Sequence, residues 1–402
     1  LSEKKIQKIL TLGADVVSLS TSVRAAGYQV YAIDYFGDQD LKRLCHQSRS
    51  ILEQVPGKDC GQLHKDFNPE VILRLTKDFV KENDIDVALI SSGLEDSPEI
   101  LYSINEIIPI LGNSPTVIKK VRDKTTFFRE LKHLDIPCPE TVLVDNFEEA
   151  KQRSKDIGYP VLIKSLRGFG GVDILKATDL RELKQRFKIY KLKKTKVLIQ
   201  EFLHGKPASI SLVSSNSEAV ILSVNEQLIG LRDVFQEEPF GYCGNVVPLE
   251  VSNNIFEKCK RIANKIAMHF GLIGSNGIDL ILSEEGVPYV IEVNPRFQGT
   301  LECIERVLGI NIAQIHINAC TEGILPRNLK KMLGFCVRLI LFSPKLSIVP
   351  ELRTFEGIRD IPLARTIIKK GEPLCSIMSV GKTRNLALQK ARMKAKLIFE
   401  KL

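Results

Sequence analysis

The stretch VPYVIEVNPRFQGT (287–300) begins as a strand and ends in a turn. Among Val, Tyr and Ile it carries a carboxylate and an amide two residues apart, Glu292 and Asn294, and then Pro295 and Arg296. The preceding run GIDLILSE (277–284) reads as its hairpin partner, because EEGVP with its glycine lies between them. A turn centred on Glu285 and Gly286 puts Asp279 directly opposite Glu292, at the ~4.5–5.5 Å Cβ spacing of cross-strand pairs. Asn294 projects from the same face, since strand side chains alternate. Two opposed carboxylates repel in a bare sheet, and a divalent cation reverses that sign. Asp, Glu and Asn offer oxygen ligands alone, which suits Mg²⁺ shared with phosphates. A solvent-facing acidic pair at a hairpin edge is the plainer reading of the same residues.

Upstream, YPVLIKSLRGFGGVDILKA (159–177) predicts a strand, a loop with three glycines in five residues, and a returning strand. Alternation puts Lys164 on the Leu162 side. Glycines let backbone N–H groups approach phosphate oxygens closely, and a nearby lysine adds a point charge. The spacing is not that of a P-loop, and a flexible hairpin with an exposed lysine fits equally well. Between the two segments, LIQEFLHGKPASISLVSS (198–215) reads as strand, linker and strand, with Phe202 and Leu203 available to contact a base. A core strand followed by a turn is the alternative. A phosphate loop upstream and an oxygen-only metal strand downstream together describe a nucleotide–Mg²⁺ site.

Farther out, KILTLG (8–13), YQVYAID (28–34) and DVALISSG (86–93) are apolar runs ending at an acid or glycine, with helical stretches such as NPEVILRLTKDFVKEND (68–84) between them. This order implies a parallel sheet covered on both faces, with ligands beyond the strands' C-terminal ends. Ser114 and Pro115 open a helix-rich segment closed by Pro137 and Pro139, and Asn146 and Gly158 bracket a further helix. A long helix is expected over 253–270 and a closing one over 385–399.

The 402 residues suffice for two or three domains, and 44% hydrophobic with 26% charged residues is ordinary globular composition. The nine cysteines show no C-x-x-C pair, which points to reduced thiols in a cytoplasmic protein and away from a cysteine-rich zinc site. No run approaches the ~18 apolar residues of a membrane span, and the N-terminus does not read as a signal peptide. The net charge of +9 lies partly in KLKKTK (191–196) and the C-terminal KARMKAKLIFEKL. No nucleic-acid motif accompanies it, so nucleic-acid binding is not expected.

As an ordered set, Asp123–Lys124, Pro160 to Gly171, Gln200 to Phe202, Gly277 to Asp279 and Glu292 to Arg296 resemble the ATP-grasp superfamily, over nearly the whole chain. The nearest resemblance is to the biotin-carboxylase-like branch of carboxylate–amine ligases, and GEPLCSIMSVGKTRNLALQKA (371–391) looks like the C-terminal end of that branch. The resemblance implies an α/β and α+β multidomain fold. A doubly wound parallel-sheet domain (1–113) would precede a two-lobed ATP-grasp domain (114–325), with lid hairpin and hinge at 159–203 and metal-binding lobe at 204–325. A small C-terminal lobe (326–402) would follow. Lys124 and Lys164 would hold ATP phosphates, with Gly168, Gly170 and Gly171 as the lid. The backbone of Gln200, Glu201 and Leu203 would hold the adenine. Asp279, Glu292 and Asn294 would ligate Mg²⁺ (or Mn²⁺), and Arg296, with Lys164, would serve the chemistry. GKPASIS lacks the acid that relatives use for the ribose; Ser209 stands near that place.

The implied reaction joins a carboxylate to an amine through an acylphosphate, releasing ADP and phosphate. The alternatives are an ATP- and bicarbonate-dependent carboxylase and an ATP-binding regulatory protein without ligase activity. Small-molecule substrates, no membrane and a cytoplasmic location are expected, and a homodimer stays open. Asn225, Glu226, Gln227, Tyr242 and Asn245 are polar residues in apolar runs, either a wall of the acceptor pocket or ordinary strand-end chemistry.

Overall fold

The computed structural model describes residues 6–59, 66–166, 168, 170–192 and 196–402, so Arg167 and Phe169 of the glycine loop and residues 193–195 of KLKKTK lie outside the described residues. The strands Lys8–Leu12, Gln29–Asp34, Gln47–Ser50 and Val87–Ile90 form a parallel sheet in which Lys8–Leu12 lies between Gln29–Asp34 and Val87–Ile90. Its central strands are buried on both faces, which is why they read as continuous apolar runs rather than alternating ones. The helix Pro69–Glu82, capped by the Asn68 side chain, buries Ile72, Leu73, Thr76 and Phe79 on one stripe against this sheet.

A second, antiparallel sheet orders Thr141–Val144, Val197–Glu201, Val161–Ser165 and Leu175–Ala177. Helices Phe147–Ile157 and Leu180–Leu192 accompany it, the first capped by Asn146 and ended at Gly158, whose φ of 92° favours glycine. A third sheet of eight strands runs Pro288–Asn294, Gly274–Leu282, Lys206–Ser214, Ala219–Ile229, Tyr242–Val247, Phe335–Phe342, Pro373–Gly381 and Ile358–Arg359. Three of the strands after residue 326 thus extend the sheet that carries the acidic hairpin, while Ser347–Ile348 and Ile367–Ile368 pair separately. The helix Asn253–Phe270 lays Cys259, Ile262, Ala263, Ile266, Ala267 and Phe270 into the core beside that hairpin. No helix among the described residues is long and apolar enough to cross a membrane.

Two local details position the site. The helical segment after Ser114 is broken at Asp123, which closes the helix Pro115–Arg122 and caps the helix Lys124–His133 by accepting from the Thr125 and Thr126 amides. Arg122 and Lys124 therefore stand at one junction, facing the hairpin. In that hairpin Asp279 pairs with Glu292, the pairing expected from sequence, but by a different route. Leu280 pairs with Val290 and Leu282 with Pro288, so the turn is centred one half-residue earlier, and Ile291 is an extra residue that restores the register. The bulge lies next to the acids, where bulges commonly re-aim side chains.

Candidate active site

The three sheets border one cavity of about 520 Å³. Lys164 reaches it from the second sheet and donates to Gln200 Oε1 at 2.6 Å. Lys124 reaches it from the helix junction, its Nζ 2.8 Å from Glu292 Oε2. Burial lowers the pKa of both lysines: Lys164 falls to about 8, and Lys124 drops well below the ordinary lysine value, the Arg122 charge adding to the effect. Two lysines held where their charge is costly form a site that an anion relieves.

Asp279, Glu292 and Asn294 line the same cavity from one sheet face. Asn294 Nδ2 donates to Asp279 Oδ2 at 2.9 Å, and Gln227 Nε2 donates to Asp279 Oδ1 at 3.0 Å. Burial raises the Asp279 pKa, although the Asn294 hydrogen bond and the nearby Arg296, Lys124 and Arg122 pull it down. A buried carboxylate disfavoured as an anion, opposite a second carboxylate and beside an amide oxygen, fits a hard divalent cation. Among the described residues no cluster of three His, Cys, Asp or Glu offers a metal site. Any ion here would draw its remaining oxygens from a ligand or water, as Mg²⁺ bound with phosphates does.

Arg296, just past the strand, forks onto Glu95 Oε1, with Nε at 3.0 Å and Nη2 at 2.9 Å. Glu95 is buried; burial works to raise its pKa, and Arg296 and Arg122 outweigh that and hold it below the usual range. The buried Asn113, just before the helix Pro115–Arg122, fastens its segment to this strand end, donating to Asn276 Oδ1 (2.6 Å) and the Pro295 carbonyl (3.0 Å) and accepting from the Ile273 amide (2.9 Å).

Gly168, Gly170 and Gly171 also border the cavity. The Gly168 amide donates to Asp96 Oδ2 at 3.2 Å, and the Tyr242 amide to the Gly170 carbonyl at 2.9 Å. Gly171 adopts φ +74°, and a Cβ there would overlap the Phe240 carbonyl oxygen. Of the hinge residues, Gln200 lines the cavity; Glu201 and Leu203 are not among its lining. Strand alternation turns Glu201 away from Gln200, and both its amide and its carboxylate are hydrogen-bonded to the backbone of Glu140. Phe202 is also absent from the lining, covered by Lys176 Nζ 3.6 Å from its ring centre. Ser209, Gln227 and Tyr242 border the cavity; Asn225 and Asn245 are fully buried, and Glu226 is held by Arg384.

Several lining residues escaped the sequence reading. Glu95 follows the strand Val87–Ile90, and Asp15 follows Lys8–Leu12, so both lie where open parallel sheets place ligands. Arg338 is a lone charge in the apolar run FCVRLILF, the same signal that Glu292 gave. It is buried, 2.8 Å from Asp15 Oδ2 and 2.6 Å from Asp360 Oδ2. Burial lifts Asp360 to about 7 against the opposing pull of Arg338.

Lys124, Lys164, the glycine loop and the acidic hairpin thus border one cavity of a mixed α/β fold. Residues 121–300 match the model of the ATP-grasp domain. It is 26% identical over 377 residues to an uncharacterized protein of Methanocaldococcus jannaschii, covering 92% of this chain and 88% of that one. Among solved structures, the biotin carboxylase domain of 2-oxoglutarate carboxylase from Hydrogenobacter thermophilus, in complex with MgADP, ADP and bicarbonate, superposes with a TM-score of 0.74 at 18% identity, over 96% of this chain and 89% of that one. The L-amino acid ligase from Bacillus licheniformis gives 0.74 at 14% identity, over 98% of each chain. At these identities the structural likeness is one of fold.

Proposed function

We propose that the protein is an ATP-dependent ligase that joins a carboxylate to an amine through an acylphosphate and releases ADP and phosphate. The observation that carries this reading is the meeting of Lys124, Lys164, Asp279, Glu292 and Arg296 in one cavity. Lys124 and Lys164 would bind the phosphates from two sides, and the glycine loop would cover them. Asp279, Glu292 and Asn294 would hold Mg²⁺, which when bound supplies charge neutralisation at the transferred phosphate. Arg296, its planar fork fixed by Glu95, would orient the attacking carboxylate as a charge-assisted pair. The hinge backbone from Gln200 to Leu203 would hold the base; for Glu201 and Leu203 this requires the nucleotide to reach beyond the described cavity wall.

Phosphoryl transfer of this kind asks the protein for position and electrostatics rather than a covalent nucleophile. Arg338 between Asp15 and Asp360 offers groups of both signs at the N-terminal-domain side, suited to an ammonium-bearing acceptor.

The test is phosphate release by purified protein with ATP, Mg²⁺ and pools of amino acids and amines, followed by chromatography of the nucleotide. Substrate-dependent ADP is the expected product. AMP as the main product refutes the acylphosphate route, and release dependent on bicarbonate and biotin alone transfers the protein to the carboxylase reading.

A further inference from the structure

Arg122 lies directly against the acidic hairpin, and its surroundings are unlike those of the two lysines. It is 9% exposed, the last residue of the helix Pro115–Arg122. Its Nε and Nη2 both point at Asp96 Oδ1, each at 2.7 Å, and its Nη1 donates to Glu292 Oε1. Asp96 in turn accepts the Gly168 amide on its other oxygen. Glu292 therefore has a cation on each oxygen: Arg122 on Oε1 and Lys124 on Oε2.

The two cations differ in whether they can leave. Lys124 ends in a single ammonium on a flexible stem; it can pass Glu292 Oε2 to a metal ion and move to a phosphate. Arg122 ends in a planar fork that is pinned by Asp96 at the break between two helices. The amide oxygen of Asn294 accepts from Arg296 Nη2 at 3.2 Å and keeps a second lone pair. One divalent ion can be seated by Asp279, Asn294 and the Lys124 side of Glu292. A second would need Glu292 Oε1, and so would have to displace a buried guanidinium from an anchored ion pair.

Resting on the ATP–Mg²⁺ reading of this cavity, we infer that Arg122 is a positioning residue that stands as a permanent cation where a second metal ion would sit. The site then takes one divalent ion per nucleotide. Arg122 also ties the lid amide of Gly168, through Asp96, to the metal-binding strand, so the lid loop and the metal carboxylate share one ion-paired anchor.

The experiment counts ADP-dependent Mn²⁺ binding by the paramagnetic resonance of free Mn²⁺, with bound ADP measured in parallel by equilibrium dialysis. Wild-type protein should bind one Mn²⁺ per ADP, and Arg122→Gln should bind two, since the neutral amide vacates Glu292 Oε1. Arg122→Lys, which keeps a cation, should still bind one more tightly than a second. Two ions per ADP in the wild type overturn the inference even if no variant folds. A folded Arg122→Gln that still binds one also overturns it. Absence of any ADP binding in the wild type instead sinks the nucleotide reading beneath it, and the dialysis arm separates these outcomes.

Discussion

Replacing Lys164 with methionine should make the protein more stable and a worse nucleotide binder. The side chain sits at the cavity wall with its charged form disfavoured by burial, its pKa pushed down from 10.5 to about 8. At ~1.4 kcal/mol per pKa unit, holding the charge there costs about 3 kcal/mol of folding free energy at neutral pH. Methionine removes that cost and loses the 2.6 Å bond to Gln200 Oε1, a hydrogen bond from a charged group worth about 1.5–3 kcal/mol. The difference is a gain on the order of 1 kcal/mol, about one or two degrees in melting temperature. Against that, a charge-assisted contact to phosphate worth about 1.5–3 kcal/mol disappears, so ADP and ATP should bind roughly 10–150-fold more weakly. The pH dependence has a definite sign. Because the folded pKa lies below the unfolded one, the penalty is complete below about 8 and fades as pH rises from there toward 10.5. Wild-type protein should gain stability over that interval and the variant should lack this contribution. Nucleotide affinity should run the other way, falling above about 8 as the lysine loses its proton. Scanning calorimetry and isothermal titration with ADP from neutral to alkaline pH read both effects. A variant that melts lower than wild type while binding ADP equally well refutes the assignment of Lys164 to a phosphate.

Gly171→Ala forces a side chain into a left-handed conformation and onto the Phe240 carbonyl, so the lid loop must shift; beyond the ~1–2 kcal/mol backbone cost, kcat/KM for ATP should fall and proteolysis at the loop should rise. Asn113→Ala leaves the Ile273 amide, Asn276 Oδ1 and the Pro295 carbonyl without that partner, and at about 1–3 kcal/mol for each buried group the loss should reach roughly 3–9 kcal/mol; a change under about 1 kcal/mol in thermal unfolding would show that Asn113 does not anchor the strand end. Arg296→Lys keeps the charge but not the fork on Glu95, so turnover in the phosphate-release assay should drop far more than ADP affinity; equal losses would place Arg296 on the nucleotide rather than on the reacting group.

The pairing of Asp279 with Glu292 was legible because a hairpin's register follows from a short turn and strict alternation, both written locally. The bulge at Ile291 was not, since nothing in PYVIEVN distinguishes the residue that goes unpaired. Likewise the Ser114 and Asn146 caps were readable from single residues before apolar periodicity. The helix break at Asp123 was not, although the side chain that caps the new helix is the acid of the very motif that marked the segment.

Lys164 and the acidic strand sit in short patterns that suggest phosphate and metal chemistry, each with a plainer reading, and Lys124 came only through the resemblance to the ATP-grasp superfamily. Their partners could not be read either way. Arg296 meets Glu95 across 201 positions, and Arg338 meets Asp15 across 323, pairings that arise only when the parallel sheet closes over the eight-stranded one. The same closure puts Arg122 on Glu292, 170 positions away, and so decides that the hairpin's carboxylate meets a fixed guanidinium before any ion arrives. Periodicity, caps and turns depend on neighbours along the chain, and sequence therefore determines the elements and which face of each is polar. Which charge finally stands opposite which depends on how three sheets pack, and that packing is set by apolar cores that carry no record of the ion pairs they bring together.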